Sequence, residues 1–286
     1  MQHMNILITG SNGQLGSEIR IASQKYSQSN YFFTDVAELD ICNKDSLETF
    51  IVENKIDALL NCAAYTAVDK SEDEVALCFK INLDAVQNMA NIAVKYGLKL
   101  IHVSTDYVFD GTSYFPLTED APTAALGVYG QSKLAGEKAL MQTYPAGIVI
   151  RTSWLYSSFG NNFVKTMIKL GREHNALRVV FDQVGTPTYA ADLATTMLYI
   201  VHADDFIPGI YHYSNEGVCS WYDFAVKIHE LANINCQVEP IQSSEYPTRT
   251  RRPHYSVLNK TKIKLNYGIQ IPHWETSLRC CIEKLK

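Results

Sequence analysis

Few of this sequence's 286 residues could support an extracellular scaffold, a membrane anchor or a nucleic-acid grip. It has seven cysteines (42, 62, 78, 219, 236, 280, 281). None forms a C-x-x-C pair, and no histidine spacing completes a zinc site, so a structural zinc module is excluded. Their odd number and scatter through apolar segments point to reduced thiols and a cytoplasmic protein. No apolar run is long enough to span a bilayer, and the N-terminus lacks a signal-peptide pattern, so no membrane partner is expected. Basic residues are in deficit, with 25 Lys and Arg against 30 Asp and Glu and a formal net charge of −5. That balance offers no field for nucleic acid, and a small-molecule ligand is expected instead. Internal repeats, low-complexity tracts and a clear linker are also missing. Met1-Gln2-His3 before Met4 reads as an extra start or an expression remnant and stays outside the fold argument.

Short apolar strands alternating with amphipathic helices make up the first half. Asn5–Thr9, Tyr31–Thr34, Asp57–Asn61, Leu98–Val103 and Gly147–Arg151 read as strands, with Leu177–Phe181 as a sixth. Gly209–Tyr213 reads as a later return to the sheet. Helices are expected over 15–22, 46–53, 76–95 and from Tyr129. This order implies an α/β fold with a doubly wound parallel sheet and right-handed crossovers. In such a sheet the ligand lies beyond the C-terminal strand ends, at a switch point expected between the first and fourth strands. Gly10, Asp35, Ala63 and Ser104 fall at those ends and should line one crevice. From about Ser153 the pattern loosens into a smaller lobe. The expected division is 4–152 for a dinucleotide domain, with returning segments around 176–214, and 153–175 plus 215–286 for a substrate lobe.

The strand Asn5–Thr9 runs into Gly10-Ser11-Asn12-Gly13-Gln14-Leu15-Gly16 and then a helix, the context in which a glycine motif signals a dinucleotide. Gly10 permits the turn, Gly13 lets a pyrophosphate approach, and Gly16 packs helix on strand. The helix start offers amides to phosphate. Asp35 would accept hydrogen bonds from the adenosine ribose. With no Arg or Lys in the turn or beside Asp35, NADH is weakly favoured on charge. Tyr129 and Lys133 are four apart and share a helical face. As a pair they suit a phenol general acid beside an ammonium that favours its ionisation. Thr105, at the fourth strand end, would orient the same carbonyl oxygen. Arg252, fixed by Pro253, is a candidate diphosphate ligand. Asn161 and Asn162 are either helix caps or ligands to sugar or phosphate groups.

The Gly-x-x-Gly-x-x-Gly spacing resembles the extended short-chain dehydrogenase/reductases. Ser104–Gly111, Val128–Glu137, Arg151–Tyr156, Gly160–Phe163, Asp182–Thr188, Arg251–His254 and Ala63–Glu72 together resemble the dTDP-4-dehydrorhamnose reductase family over essentially the whole chain. The resemblance implies a Rossmann-type fold and reduction of the 4-keto group of dTDP-4-dehydro-β-L-rhamnose to dTDP-L-rhamnose with NADPH or NADH. It assigns Thr105, Tyr129 and Lys133 to catalysis. It puts Asp40 and Ile41 near adenine, Ala63, Ala64 and Tyr65 along the cofactor, and Trp154 against the sugar. Ser104 and Asp106 join the substrate set. Members that dimerise leave a homodimer and a bound Mg2+ open, although no carboxylate cluster compels a metal. Dehydratases of the same branch carry Asp-Glu after the catalytic Thr, whereas Asp106-Tyr107 stands here, so elimination is disfavoured. The Asp182–Thr188 and Arg251–His254 motifs argue against an epimerase. A non-catalytic, dinucleotide-binding regulatory subunit like the β subunit of methionine adenosyltransferase is the rival from another class.

Overall fold

A computed structural model describes residues 3–286; the reading of Met1 and Gln2 as an extra start or remnant lies outside the described residues. Its centre is a six-stranded parallel sheet of β1 (Asn5–Thr9), β2 (Asn30–Thr34), β3 (Ala58–Asn61), β4 (Lys99–Thr105), β5 (Ile148–Thr152) and β6 (Gly209–His212). The strand order is β6-β5-β4-β3-β1-β2. The order therefore reverses between β1 and β3, not between the first and fourth strands as expected. Only β2 lies outboard of β1, so the chain crosses back one element earlier, and β3 takes the place beside β1.

The strands are mostly apolar because both faces are covered. Successive side chains alternate: Ile6, Ile8, Leu60, Ile101, Ile148 and Ile150 enter one core, while Leu7, Leu59, Leu100 and Val149 enter the other. The first core is closed by α1 (Gln14–Ala22) and by Ala190–His202. The second is closed by α2 (Lys44–Glu53), α3 (Val75–Phe79 and Ala85–Tyr96, joined by a π-helical stretch at Lys80–Asp84) and α4 (Val128–Thr143).

Two backbone contacts fix α4. A Cβ added at Gly130 would lie 2.3 Å from the Tyr107 carbonyl oxygen, and one at Gly136 would lie 2.0 Å from the Asn82 carbonyl oxygen in the π-helical stretch. Only glycine fits at either point.

The expected sixth strand forms, as Ala176–Val180, but outside the central sheet. It pairs in parallel with Gln237–Ile241, and Gly209–His212 takes the sixth place beside β5. The partner strand contains Pro240, which suits a two-stranded edge ribbon better than a central sheet. A separate core around Phe224 gathers Tyr156, Val164, Ile228, Trp274 and Leu278. No helix among the described residues is long and apolar enough to cross a membrane.

Candidate active site

A cleft of about 780 Å³ opens at the C-terminal ends of the central strands. Gly10, Asp35, Ala63 and Ser104 all line it, as the strand ends require. Gly13, Gln14, Leu15, Asp40, Ile41 and Asn161 line it too, as do Ala64, Thr105, Asp106, Tyr129, Lys133 and Trp154.

The glycine turn is tight. Gly10 has φ of 65°, and a Cβ there would sit 2.7 Å from the backbone of Ala63. The cradle therefore exists only because nothing projects from that residue. Ser11 is buried, its N–H donating to the Thr34 carbonyl (3.0 Å), and Asn12 N–H donates to Asp35 Oδ2 (3.0 Å). Gly16 is buried one turn into α1. No side chain caps the first turn of α1, which leaves backbone N–H groups free for an anion. Together with the unpartnered hydroxyl of Ser104 in the same cleft, these features fit a dinucleotide.

A basic group does reach the glycine turn, contrary to the charge argument from sequence. The Arg20 guanidinium lies over the Phe33 ring, 4.0 Å from its centroid, with Nη2 3.4 Å from Ser11 Oγ. It comes from the last turn of α1, four residues beyond Gly16, where the linear sequence hides its approach to the turn.

To the same cleft, β4 delivers Thr105 and α4 delivers Tyr129 and Lys133. All three are buried. Thr105 Oγ1 donates to Asp106 Oδ1 (3.1 Å) and accepts from Tyr107 N–H (3.2 Å). Burial raises the Tyr129 phenol well above its ordinary range, against the opposing effect of the Thr105 hydroxyl. This reverses the expected lowering by Lys133. Ionising a dry phenol is costly, and burial also discourages the neighbouring cation, pulling Lys133 down to about 8. Lys133 Nζ donates to the Val103 carbonyl (2.7 Å) and lies 3.2 Å from His102 Nε2. Burial pushes Asp106 up to about 6, outweighing the Ser256 and Thr105 hydroxyls.

Trp154 flanks the cleft in a left-handed conformation, φ 47°, unusual for a bulky residue. Its ring stacks on Trp221 at 3.6 Å between centroids and 11° between planes. Such backbone strain costs of order 1–3 kcal/mol, and the Trp221 stack holds it in place.

Several expected ligands lie outside the lining. Tyr65 is turned away, its hydroxyl donating to Glu74 Oε2 (2.8 Å) and its N–H to Asn82 Oδ1 (2.9 Å). Asn162 caps the helix Phe163–Glu173 by accepting from Lys165 N–H (3.1 Å), while its amide nitrogen donates to Gln14 Oε1 (3.0 Å) and the Ser157 carbonyl (2.7 Å). Arg252 is held by Asp69 Oδ2 (2.7 Å) and the Tyr107 hydroxyl (2.8 Å). Tyr107 in turn meets the Tyr129 ring edge-on at 5.5 Å, so Arg252 buttresses the catalytic end from behind. Tyr107, Trp221, Arg20 and His102 were not expected as site residues from the sequence. Of these only His102 carries a local signal, as a lone imidazole inside an otherwise apolar buried strand. Among the described residues, no three His, Cys, Asp or Glu are grouped to hold a metal ion.

The model of the family described as RmlD substrate binding domain matches residues 4–286. The dTDP-4-dehydrorhamnose reductase of Aggregatibacter actinomycetemcomitans is 39% identical, covering 96% of this chain and 97% of its own. A solved dTDP-4-dehydrorhamnose reductase from Clostridium acetobutylicum superposes with a TM-score of 0.95 at 44% identity, over 99% of each chain. The Bacillus anthracis enzyme of that name, solved in complex with NADP, matches at 0.95 and 37%, over 99% of this chain and 100% of its own. A glycine-turn cleft that also holds Thr, Tyr and Lys, and likeness along the whole chain, have one reading: this chain belongs to the dTDP-4-dehydrorhamnose reductase family.

Proposed function

We propose that the protein reduces the 4-keto group of dTDP-4-dehydro-β-L-rhamnose to dTDP-L-rhamnose at the expense of NADPH or NADH. One observation carries this reading: Thr105, Tyr129 and Lys133 stand in the same cleft as the glycine turn and Asp35. A bound dinucleotide would supply the hydride, and the protein's own residues manage everything else. Tyr129, kept protonated by its burial, donates its phenolic proton to the carbonyl oxygen as the alcohol forms. Thr105 orients that oxygen, and Lys133 holds the nicotinamide ribose and restores charge balance beside the phenolate. Gly10 to Gly16, Asp35, Asp40, Ile41, Ala63 and Ala64 bind the dinucleotide. Trp154 and Asn161 face the sugar, and Ser104 and Asp106 complete its polar wall.

Residues 4–152 with returning segments around 176–214 form the dinucleotide domain in this reading, and 153–175 with 215–286 form the substrate lobe, supported by the separate core around Phe224. All seven cysteines are free, which suits a cytoplasmic enzyme. Purified protein mixed with NADPH and the keto sugar nucleotide should consume the reduced dinucleotide, followed at 340 nm, and yield the 4-hydroxy product by mass spectrometry. No oxidation of either dinucleotide would sink the proposal and return the regulatory-subunit reading.

A further inference from the structure

A row of polar side chains crosses the centre of the sheet. Thr9 on β1, Asn61 on β3 and His102 on β4 are register partners in adjacent strands. Each is at most 1% exposed; the row meets Thr34 on β2 at one end and the aliphatic Val149 and Ile210 at the other. Buried polar groups cost stability unless every one is paired, and here the pairing runs in one direction. Thr9 Oγ1 donates to Asn61 Oδ1 (2.7 Å), Asn61 Nδ2 lies 2.9 Å from His102 Nδ1, and His102 Nε2 lies 3.2 Å from Lys133 Nζ.

The hydrogen positions follow from one backbone group. Ala63 N–H points at Asn61 Oδ1 (3.1 Å), and a backbone N–H can only donate, so that edge of the amide is the oxygen. The other edge is then the NH2, which donates to His102 Nδ1. A neutral imidazole that accepts at Nδ1 carries its proton on Nε2. Burial and the nearby Lys133 charge keep His102 neutral, far below its ordinary titration range. The Nε2–H therefore faces Lys133 Nζ. An ammonium there meets a second donor, whereas a neutral amine accepts from it.

We propose that His102 is a positioning residue for the acid pair: locked by Asn61 as the Nε2–H tautomer, it aims a donor at Lys133 and loosens that amine's hold on its own proton. The proposal rests on the reading of Tyr129 and Lys133 as the acid pair. The other groups facing Lys133 are few. Glu137, one turn along α4, favours the charged form, while Cys78 on α3 and Cys62 after β3 are thiols that burial keeps neutral. With Lys133 drawn down to about 8, its cation is present below that pH and lost as pH rises through it. Dinucleotide binding that uses the cation must weaken over the same interval.

Two measurements test this without turnover. Nitrogen-15 NMR of labelled histidine, with the His102 signals assigned by their loss in His102→Gln, should show a neutral Nε2–H ring throughout roughly pH 6–9. An Nδ1–H tautomer or a charged ring overturns the proposal. The NADPH dissociation constant, read by fluorescence across the same range and above, should break near pH 8 in the wild type. In His102→Leu the break should move up by about half a unit or more, a roughly threefold gain in proton affinity. In His102→Gln, whose amide restores an N–H toward Nζ, it should stay near the wild-type value. Should His102→Leu fail to fold, Asn61→Ala releases the tautomer lock and must move the break the same way. A break unmoved in both Leu and Ala variants overturns the proposal. Full turnover in Tyr129→Phe would instead refute the catalytic reading, which neither measurement uses.

Discussion

Glu137→Gln should weaken the protein twice, through its fold and through its cofactor. Glu137 on α4 and Arg151 on β5 form a fully buried, two-pronged ion pair, with Nε to Oε1 at 3.0 Å and Nη2 to Oε2 at 2.7 Å. Removing one charge leaves the other stranded in a dry interior, which costs about 3–5 kcal/mol. Arg151 keeps the Glu119 carbonyl at 3.3 Å and the Phe109 ring at 5.1 Å, so the lower end of that range applies. At roughly 2–4 °C per kcal/mol for a large domain, the midpoint should fall by about 6–12 °C. Glu137 also favours the charged form of Lys133, one turn away. NADPH binding at pH 8 should therefore weaken in the variant while binding at pH 6.5 changes little. The double variant Glu137→Gln/Arg151→Met removes both charges and should recover much of the lost stability, because a buried pair nearly breaks even against apolar packing. Differential scanning calorimetry on the three proteins decides the matter. A single variant melting within a degree or two of wild type, or a double variant less stable than the single, would refute the reasoning.

Tyr129→Phe should retain folding and NADPH binding and lose about 10²–10⁴-fold in kcat, the usual share of a positioned general acid; turnover within a few-fold of wild type removes Tyr129 from that role. Asp35→Ala should raise the NADPH-to-NADH ratio of kcat/KM by relieving like-charge repulsion, and Arg20→Ala should lower it; a ratio unmoved by both places the ribose 2′ position elsewhere. Arg252→Ala frees Asp69 and the Tyr107 hydroxyl together. It should lower kcat as well as raise the sugar-nucleotide KM, and a change confined to KM would return Arg252 to a simple phosphate contact.

The sequence made the elements legible where the physics is local. Apolar strands, the glycine turn and the four-residue step from Tyr129 to Lys133 each follow from nearest-neighbour geometry, and all reappear within a residue or two. What depends on distant partners was not legible. The sequence carries no mark that β3 sits beside β1, since pairing order is set by distant partners and not by the composition of either strand. The segment Ala176–Val180 looks like a sheet strand but finds Gln237–Ile241, whose Pro240 obscured its own strand character. Arg20 reaches Ser11 only because a helix folds it back, and Asn162 is taken by Gln14 from 148 positions away. The sign of the Tyr129 shift was missed for a related reason. Burial is a property of the assembled site, and spacing alone does not reveal it.

The two glycines of α4 have a mechanical consequence. With its backbone resting directly on the Tyr107 and Asn82 carbonyls, the helix behaves like a keyed shaft that can neither roll nor slide by the width of a methyl group. The phenol and the amine it carries are thus registered to the sheet before any ligand arrives, at a tolerance that side-chain packing alone would not enforce. A single methyl added at Gly136 would have to lift the shaft by about an ångström, enough to cost ~10²-fold in rate without touching a reacting atom. Room for sugars of different shape must then be made elsewhere in the lining, at Trp154 and Asn161. Attempts to broaden the substrate range would gain more from recutting those positions than from moving the acid.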